Sequence, residues 1–208
     1  NLNGSVTCMS THLTSFVVVP FLGCPAGRSV PSGSTDLAEC RCNSGTAGRV
    51  GEGDCITCQA GKFSSEDTTQ CLSCPDHSHS DDMSGERKDC RCNKGYAPSS
   101  DGTECEACPA GQFKNNTGAG NCSKCPPNAD SYAASTSLDD CMCNPGYSGS
   151  DAVCSRCVEG KYKSGLGSGA CERCPLLSSS PSGSADLQEC KCIAGAAGLN
   201  GAACTQCT

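Results

Sequence analysis

This sequence of 208 residues predicts a small disulfide-rich fold, mostly irregular with short β-hairpins, strung into an elongated tandem array of about four modules. Three observations predict it. The 24 cysteines fall on a lattice that repeats every 49 to 51 positions: Cys-Xaa-Cys at Cys40/Cys42, Cys90/Cys92, Cys141/Cys143 and Cys190/Cys192, and Cys-Xaa-Xaa-Cys at Cys55/Cys58, Cys105/Cys108, Cys154/Cys157 and Cys204/Cys207. Fixed self-similarity of that length marks an array of small supersecondary units. Second, with no Trp, 4% aromatic residues and 25 glycines, a unit cannot bury enough apolar surface to offset roughly 1–2 kcal/mol of backbone entropy per ordered residue. Third, Gly/Ser/Pro-rich turns separate short runs throughout, which suits hairpins and leaves no room for a long helix.

Covalent links therefore stand in for a core. A bridge closing a loop of about 15 residues restricts the unfolded chain by roughly 3 kcal/mol, so three bridges per unit decide whether it folds. Cysteine at this density belongs to an oxidising compartment, which places the chain outside the cell, secreted or on a cell surface or matrix. Zinc is the competing use, because Cys55-Xaa-Xaa-Cys58 followed by Cys71-Xaa-Xaa-Cys74 has the spacing of a four-cysteine site. Six cysteines per unit do not divide into fours, however, and the chain has three histidines. His77-Ser78-His79 beside Asp81 and Asp82 occurs once and reads as a solvated turn. No cofactor or metal is expected.

Taken in order, residues 1–55 make a divergent first module, 58–105 the second, 108–154 the third and 157–204 the fourth, while 205–208 open an incomplete next one. The first module has Phe21 where its second cysteine would stand, and it carries the one apolar run, Phe16-Val17-Val18-Val19-Pro20-Phe21-Leu22. Seven residues interrupted by proline are too short to span a bilayer, so no direct membrane insertion is expected. Valine-rich segments suit a strand seeking an edge, which makes Phe16, Val17, Val18, Val19 and Phe21 candidate contacts between subunits. Packing onto the next module of the same chain is the alternative.

Each later module ends in Cys-Xaa-Cys-Xaa-Xaa-Gly and a further cysteine, as at Cys90-Arg91-Cys92-Asn93-Lys94-Gly95-Tyr96 and Cys105. That ending resembles an EGF-like module. The stretch Cys108-Pro109-Ala110-Gly111-Gln112-Phe113-Lys114 through Cys122-Ser123-Lys124-Cys125-Pro126 is similar to the cysteine-rich segment of ephrin receptors and to ephrin-receptor-like repeats. The EGF-like resemblance implies pairing of first with third, second with fourth and fifth with sixth cysteine. In the second module that means Cys58–Cys74, Cys71–Cys90 and Cys92–Cys105, in the third Cys108–Cys125, Cys122–Cys141 and Cys143–Cys154, and in the fourth Cys157–Cys174, Cys171–Cys190 and Cys192–Cys204. It leaves Cys8, Cys24, Cys42 and Cys55 bridged in the first module, with Cys40 and Cys207 unmatched. Continuation of the chain beyond Thr208, local rewiring of the first unit, or a link between chains would each accommodate the two leftovers.

Function is narrowed mainly by exclusion. No Ser/His/Asp, Cys/His or paired-carboxylate arrangement and no phosphate loop is evident, so an enzyme is not expected. A net charge of −7 disfavours nucleic acid. Asn3, Asn115 and Asn121 begin acceptor sequences for covalent glycans. The acidic residue before each Cys-Xaa-Cys (Glu39, Asp89, Asp140, Glu189) lacks the Asp/Asn-rich entry of a calcium-binding module. Phe63, Phe113, Tyr162, Tyr96 and Tyr147 recur once per unit and are expected to form a small apolar contact between neighbours. Residues Pro31 to Gly48 match Pro181 to Gly198 at twelve of eighteen positions, which favours a long tandem chain, or subunits laid end to end so that equivalent surfaces recur, and head-to-tail contacts that do not close produce filaments. The leading expectation is a glycosylated structural rod that self-associates as a head-to-tail homopolymer. A spacer or adhesion segment of a receptor ectodomain is the alternative.

Overall fold

The computed structural model describes residues 23–31, 34, 36–51, 53–66 and 68–208. Asn3, Cys8 and the apolar run from Phe16 to Leu22 lie outside them. Among the described residues there is no α-helix; short strands pair into antiparallel two-stranded hairpins, eleven in number, and one disulfide closes each. No helix here is long and apolar enough to cross a membrane.

A single local rule generates all the hairpins. Three residues after the first cysteine stands a residue with positive φ: Gly27, Gly45, Gly61, Gly95, Gly111, Gly146, Gly160 and Gly195, or His77, Asn128 and Leu177. The next amide then donates back three residues, as from Arg28 to the Pro25 carbonyl at 3.1 Å and from Lys62 to that of Gln59 at 3.0 Å. Positive φ at the third position of such a turn is the type II arrangement, for which glycine carries no steric cost. The turn aims the following residues at the segment just beyond the second cysteine, in one register throughout: Arg28 faces Cys42, Lys62 faces Ser73, and Ala196 faces Gln206.

Three hairpins alternate along the chain. Opening hairpins are closed by Cys58–Cys71, Cys108–Cys122 and Cys157–Cys171. Middle hairpins, by Cys24–Cys40, Cys74–Cys90, Cys125–Cys141 and Cys174–Cys190, all have a sequence separation of 16. Closing hairpins follow at Cys42–Cys55, Cys92–Cys105, Cys143–Cys154 and Cys192–Cys204. Each middle hairpin holds a 3-10 turn before its second cysteine: Leu37–Glu39, Arg87–Asp89, Leu138–Asp140 and Leu187–Glu189. The acidic residue ending this turn is a cap. Asp140 accepts from the Thr136 and Ser137 amides at 2.7 and 2.9 Å, and Asp89 and Glu189 repeat the arrangement.

These pairings correct the EGF-like ones for the first four cysteines of each module; the fifth bonds the sixth as that resemblance implies. Because Leu72–Ser73 pairs with Lys62–Phe63, Cys71 stands opposite Cys58 with the Cα atoms 5.5 Å apart, inside the range a disulfide spans. Cys74 instead starts the next turn and meets Cys90. The same logic gives Cys40 a partner in Cys24, so it is not the unmatched cysteine. Phe21 lies outside the described residues, and the Cys24–Cys40 hairpin that follows it is complete. Cys207 is a free, exposed thiol. Because the cysteines of the zinc-like spacing lie in three separate disulfides, they form no metal site.

The interior is cystine and serine. Cys40, Cys58, Cys108, Cys157 and Cys190 are fully enclosed, joined by Ser64, Ser80, Ser131 and Ser180. Large apolar side chains such as Ile56, Val153, Leu176 and Leu199 lie exposed. A hairpin two residues wide encloses nothing bigger than a disulfide, so small hydroxyls that bond to backbone carbonyls fill the remaining space.

Candidate functional site at the module junctions

Where one module meets the next, a glycine of the closing hairpin forms the seat. Cys58, Cys108 and Cys157 donate their amides to the carbonyls of Gly45, Gly95 and Gly146 at 3.0, 2.8 and 2.9 Å, and those glycines donate in return to the carbonyls of Ser64, Lys114 and Lys163 at 2.8, 2.9 and 2.8 Å. The middle hairpin then closes over the seat. Met83, Ala134 and Gly183 donate to the carbonyls of Cys58, Cys108 and Cys157, and their own carbonyls press so closely on Gly45, Gly95 and Gly146 that a Cβ there would overlap them. All three glycines are buried. Close approach and positive φ together make glycine obligatory at this place.

A buried cation or hydroxyl completes each seat. Lys114 is 2% exposed and Lys163 8%. The Lys163 Nζ donates to the carbonyls of Cys143, Asn144 and Gly165 at 2.9, 3.4 and 2.7 Å, and Lys114 does likewise to Asn93 and Asn116 at 3.4 and 2.8 Å. Burial pushes the pKa of both ammonium groups down. At the junction of the first and second modules Ser64 takes this place, donating to the Thr46 carbonyl at 2.7 Å and bonding Thr68. Arg28 gathers the carbonyls of Cys40, Arg49 and Gly53 inside the first module. Backbone carbonyls receive both lysine ammonium groups, an arrangement that locks adjacent hairpins together.

Phe63, Phe113, Tyr162, Tyr96 and Tyr147 are half-buried, Tyr162 donates to Glu172 within its own hairpin at 2.9 Å, and Tyr96 stacks on His77 at 4.0 Å in the same module. The junction itself is a backbone lattice. His77 takes a left-handed turn position, and no group of three or more metal-binding side chains occurs among the described residues. Asn115 and Asn121 are exposed on the opening hairpin of the third module. Sequence reasoning missed the buried serines and lysines six positions after each opening cysteine, although their fixed spacing from that cysteine was a usable signal.

Residues 95–141 match the family model described as tyrosine-protein kinase ephrin type A/B receptor-like. The matched span starts at one seat glycine and runs through the opening and middle hairpins that dock on it. The chain thus carries an ephrin-receptor-like cysteine-rich repeat. No curated protein matches the chain.

Proposed function

From a chain of ephrin-receptor-like cysteine-rich repeats stapled by disulfides, we propose an extracellular, non-catalytic structural protein: a glycosylated rod that assembles head to tail into a filament or a cell-surface or matrix appendage. The observation that carries this reading is the junction, made three times with the same donors, acceptors and seat glycine. Such a junction fixes the direction in which modules add. Eleven disulfides among the described residues favour an oxidising, extracellular setting. Sedimentation of the purified chain across a concentration series, with electron microscopy of the heavy fractions, tests it. Linear particles of growing length are expected, and a monomer at every concentration would sink the reading.

The family match favours a second reading, in which the repeats hold a recognition domain of a receptor away from the cell. It predicts a monomeric rod, so the same sedimentation experiment separates the two.

A further inference from the structure

The opening hairpin of the third module carries two acceptor sequences for covalent sugar, Asn115-Asn116-Thr117 and Asn121-Cys122-Ser123, and the fold treats them differently. Both asparagines are exposed, so exposure does not choose between them. An acceptor asparagine requires a hydroxyl two residues on, and that hydroxyl approaches the side-chain amide only where the backbone turns. The two sites differ in what the two following residues are free to do.

Asn115 opens onto a bend. It lies beyond the strand Gln112–Phe113, and the chain bends over 116–119 before it returns as Ser123–Lys124. Lys114 is 2% exposed and turns into the junction, its Nζ donating to the Asn93 and Asn116 carbonyls at 3.4 and 2.8 Å. The Gly118 amide donates to the Cys92 carbonyl at 2.8 Å. These anchors are made by a lysine and by backbone, and they leave Asn115, Asn116 and Thr117 exposed. Asn121 is followed instead by a tether and a strand. Cys122 is bonded to Cys108 with the Cα atoms 5.7 Å apart, and Ser123 stands in register opposite Phe113. Paired backbone of this kind advances about 3.3 Å per residue, so Ser123 is carried away from Asn121 and cannot turn back while the hairpin is closed.

Resting on the glycosylated, extracellular part of the reading above, we infer that Asn115 is the acceptor the folded module presents, while closure of Cys108–Cys122 withdraws Asn121. Modification of Asn121 is then decided by whether sugar or disulfide arrives first. The donor class is an oligosaccharide carried on a lipid pyrophosphate. The asparagine side-chain nitrogen forms a bond to the anomeric carbon and gives up one proton; the bond from that carbon to the pyrophosphate oxygen breaks, and the lipid pyrophosphate leaves with the electron pair. Modules two and four hold no acceptor sequence. The sugar of the folded repeats is therefore rooted beside Lys114, at the junction of the second and third modules.

The test takes the full chain without sugar, oxidised, and incubates it with an oligosaccharyltransferase and a lipid-pyrophosphate oligosaccharide. Glycopeptide mass spectrometry reads the occupancy of each asparagine. A parallel sample of the same chain is kept reduced, which cancels any intrinsic difference between Thr117 and Ser123 as partner hydroxyls. Both sites should fill to a similar extent in the reduced chain. Oxidation should lower Asn121 relative to Asn115 by at least about fivefold, the factor for opening one hydrogen bond of the Phe113 and Ser123 pairing. A peptide map containing Cys108–Cys122 keeps a misfolded sample from passing as a folded one. Secretion from a glycosylating host gives a second readout: Cys108→Ser should raise Asn121 occupancy and leave Asn115 unchanged. An occupancy ratio that is the same in oxidised and reduced chain, or an Asn115 left empty in the oxidised chain, overturns the inference while glycosylation itself stands. Both asparagines empty in both samples would remove the glycosylated reading as well.

Discussion

Substituting alanine at Gly95 and at Gly195 measures what a junction is worth. Both glycines have left-handed φ, 79° and 83°, so both variants incur the same backbone penalty of roughly 1–2 kcal/mol. Only at Gly95 does the new methyl group overlap the Ala134 carbonyl. Relief of that overlap shifts Gly95 off the opening and middle hairpins docked on it and breaks the paired bonds from Cys108 to Gly95 and from Gly95 to Lys114, 2.8 and 2.9 Å, each contributing about 0.5–1.5 kcal/mol net. Gly195→Ala should thus cost about 1–2 kcal/mol and Gly95→Ala about 2–5 kcal/mol. Amide hydrogen exchange reads this locally with the disulfides intact: the Cys108 and Gly95 amides should exchange roughly 5- to 150-fold faster, relative to the change that Gly195→Ala causes at its Cys207 bond. Equal effects at the two glycines would refute the claim that close packing at the seat holds the modules together.

Four further outcomes are expected. Partial reduction with peptide mapping should yield Cys58–Cys71 and Cys74–Cys90; recovery of Cys58–Cys74 with Cys71–Cys90 would contradict the hairpin order. Lys163→Met leaves the Cys143 and Gly165 carbonyls without their donor and should lower stability to denaturant by about 1–3 kcal/mol. Because burial holds this ammonium below its ordinary 10.5, the folded chain releases the proton first, so stability should rise with pH between the folded value and 10.5, and that rise should vanish in the variant. Asp140, whose carboxyl is held below 3.8 by the Thr136 and Ser137 amides, contributes fully above 3.8 and loses its contribution as pH falls through the folded value; Asp140→Asn should flatten that acid limb of an unfolding series. Leu177→Gly, at φ 56°, should raise the denaturation midpoint by the equivalent of about 1 kcal/mol, because a leucine there bears left-handed strain.

Much of the architecture was legible because cysteine spacing is a one-dimensional record of it. The period, the absence of long helices and the hairpins follow from where Cys, Gly and Pro stand, while the Cys92–Cys105 type of closure is what the EGF-like resemblance implies. The partner of Cys58 did not, since Cys71 and Cys74 are three residues apart and either fits a plausible spacing. What distinguishes them is the register of Leu72–Ser73 on Lys62–Phe63, a property of pairing in space. The backbone amides and the glycine that meet at each junction carry no apolar signature, so nothing in the hydrophobic pattern pointed to them.

By itself the sequence determined that this chain must be an array of cross-linked units, because no segment holds enough apolar surface to fold otherwise. It also determined the size of the unit and that the lattice lacks a cysteine at Phe21. Only the tertiary structure decided which cysteines bond, that Cys40 is satisfied, and that Gly45, Gly95 and Gly146 are covered by the carbonyls of Met83, Ala134 and Gly183. The physical reason is that composition and spacing fix how many covalent links a unit needs, whereas strand register and the fit of a carbonyl against a bare Cα are set by groups distant in sequence.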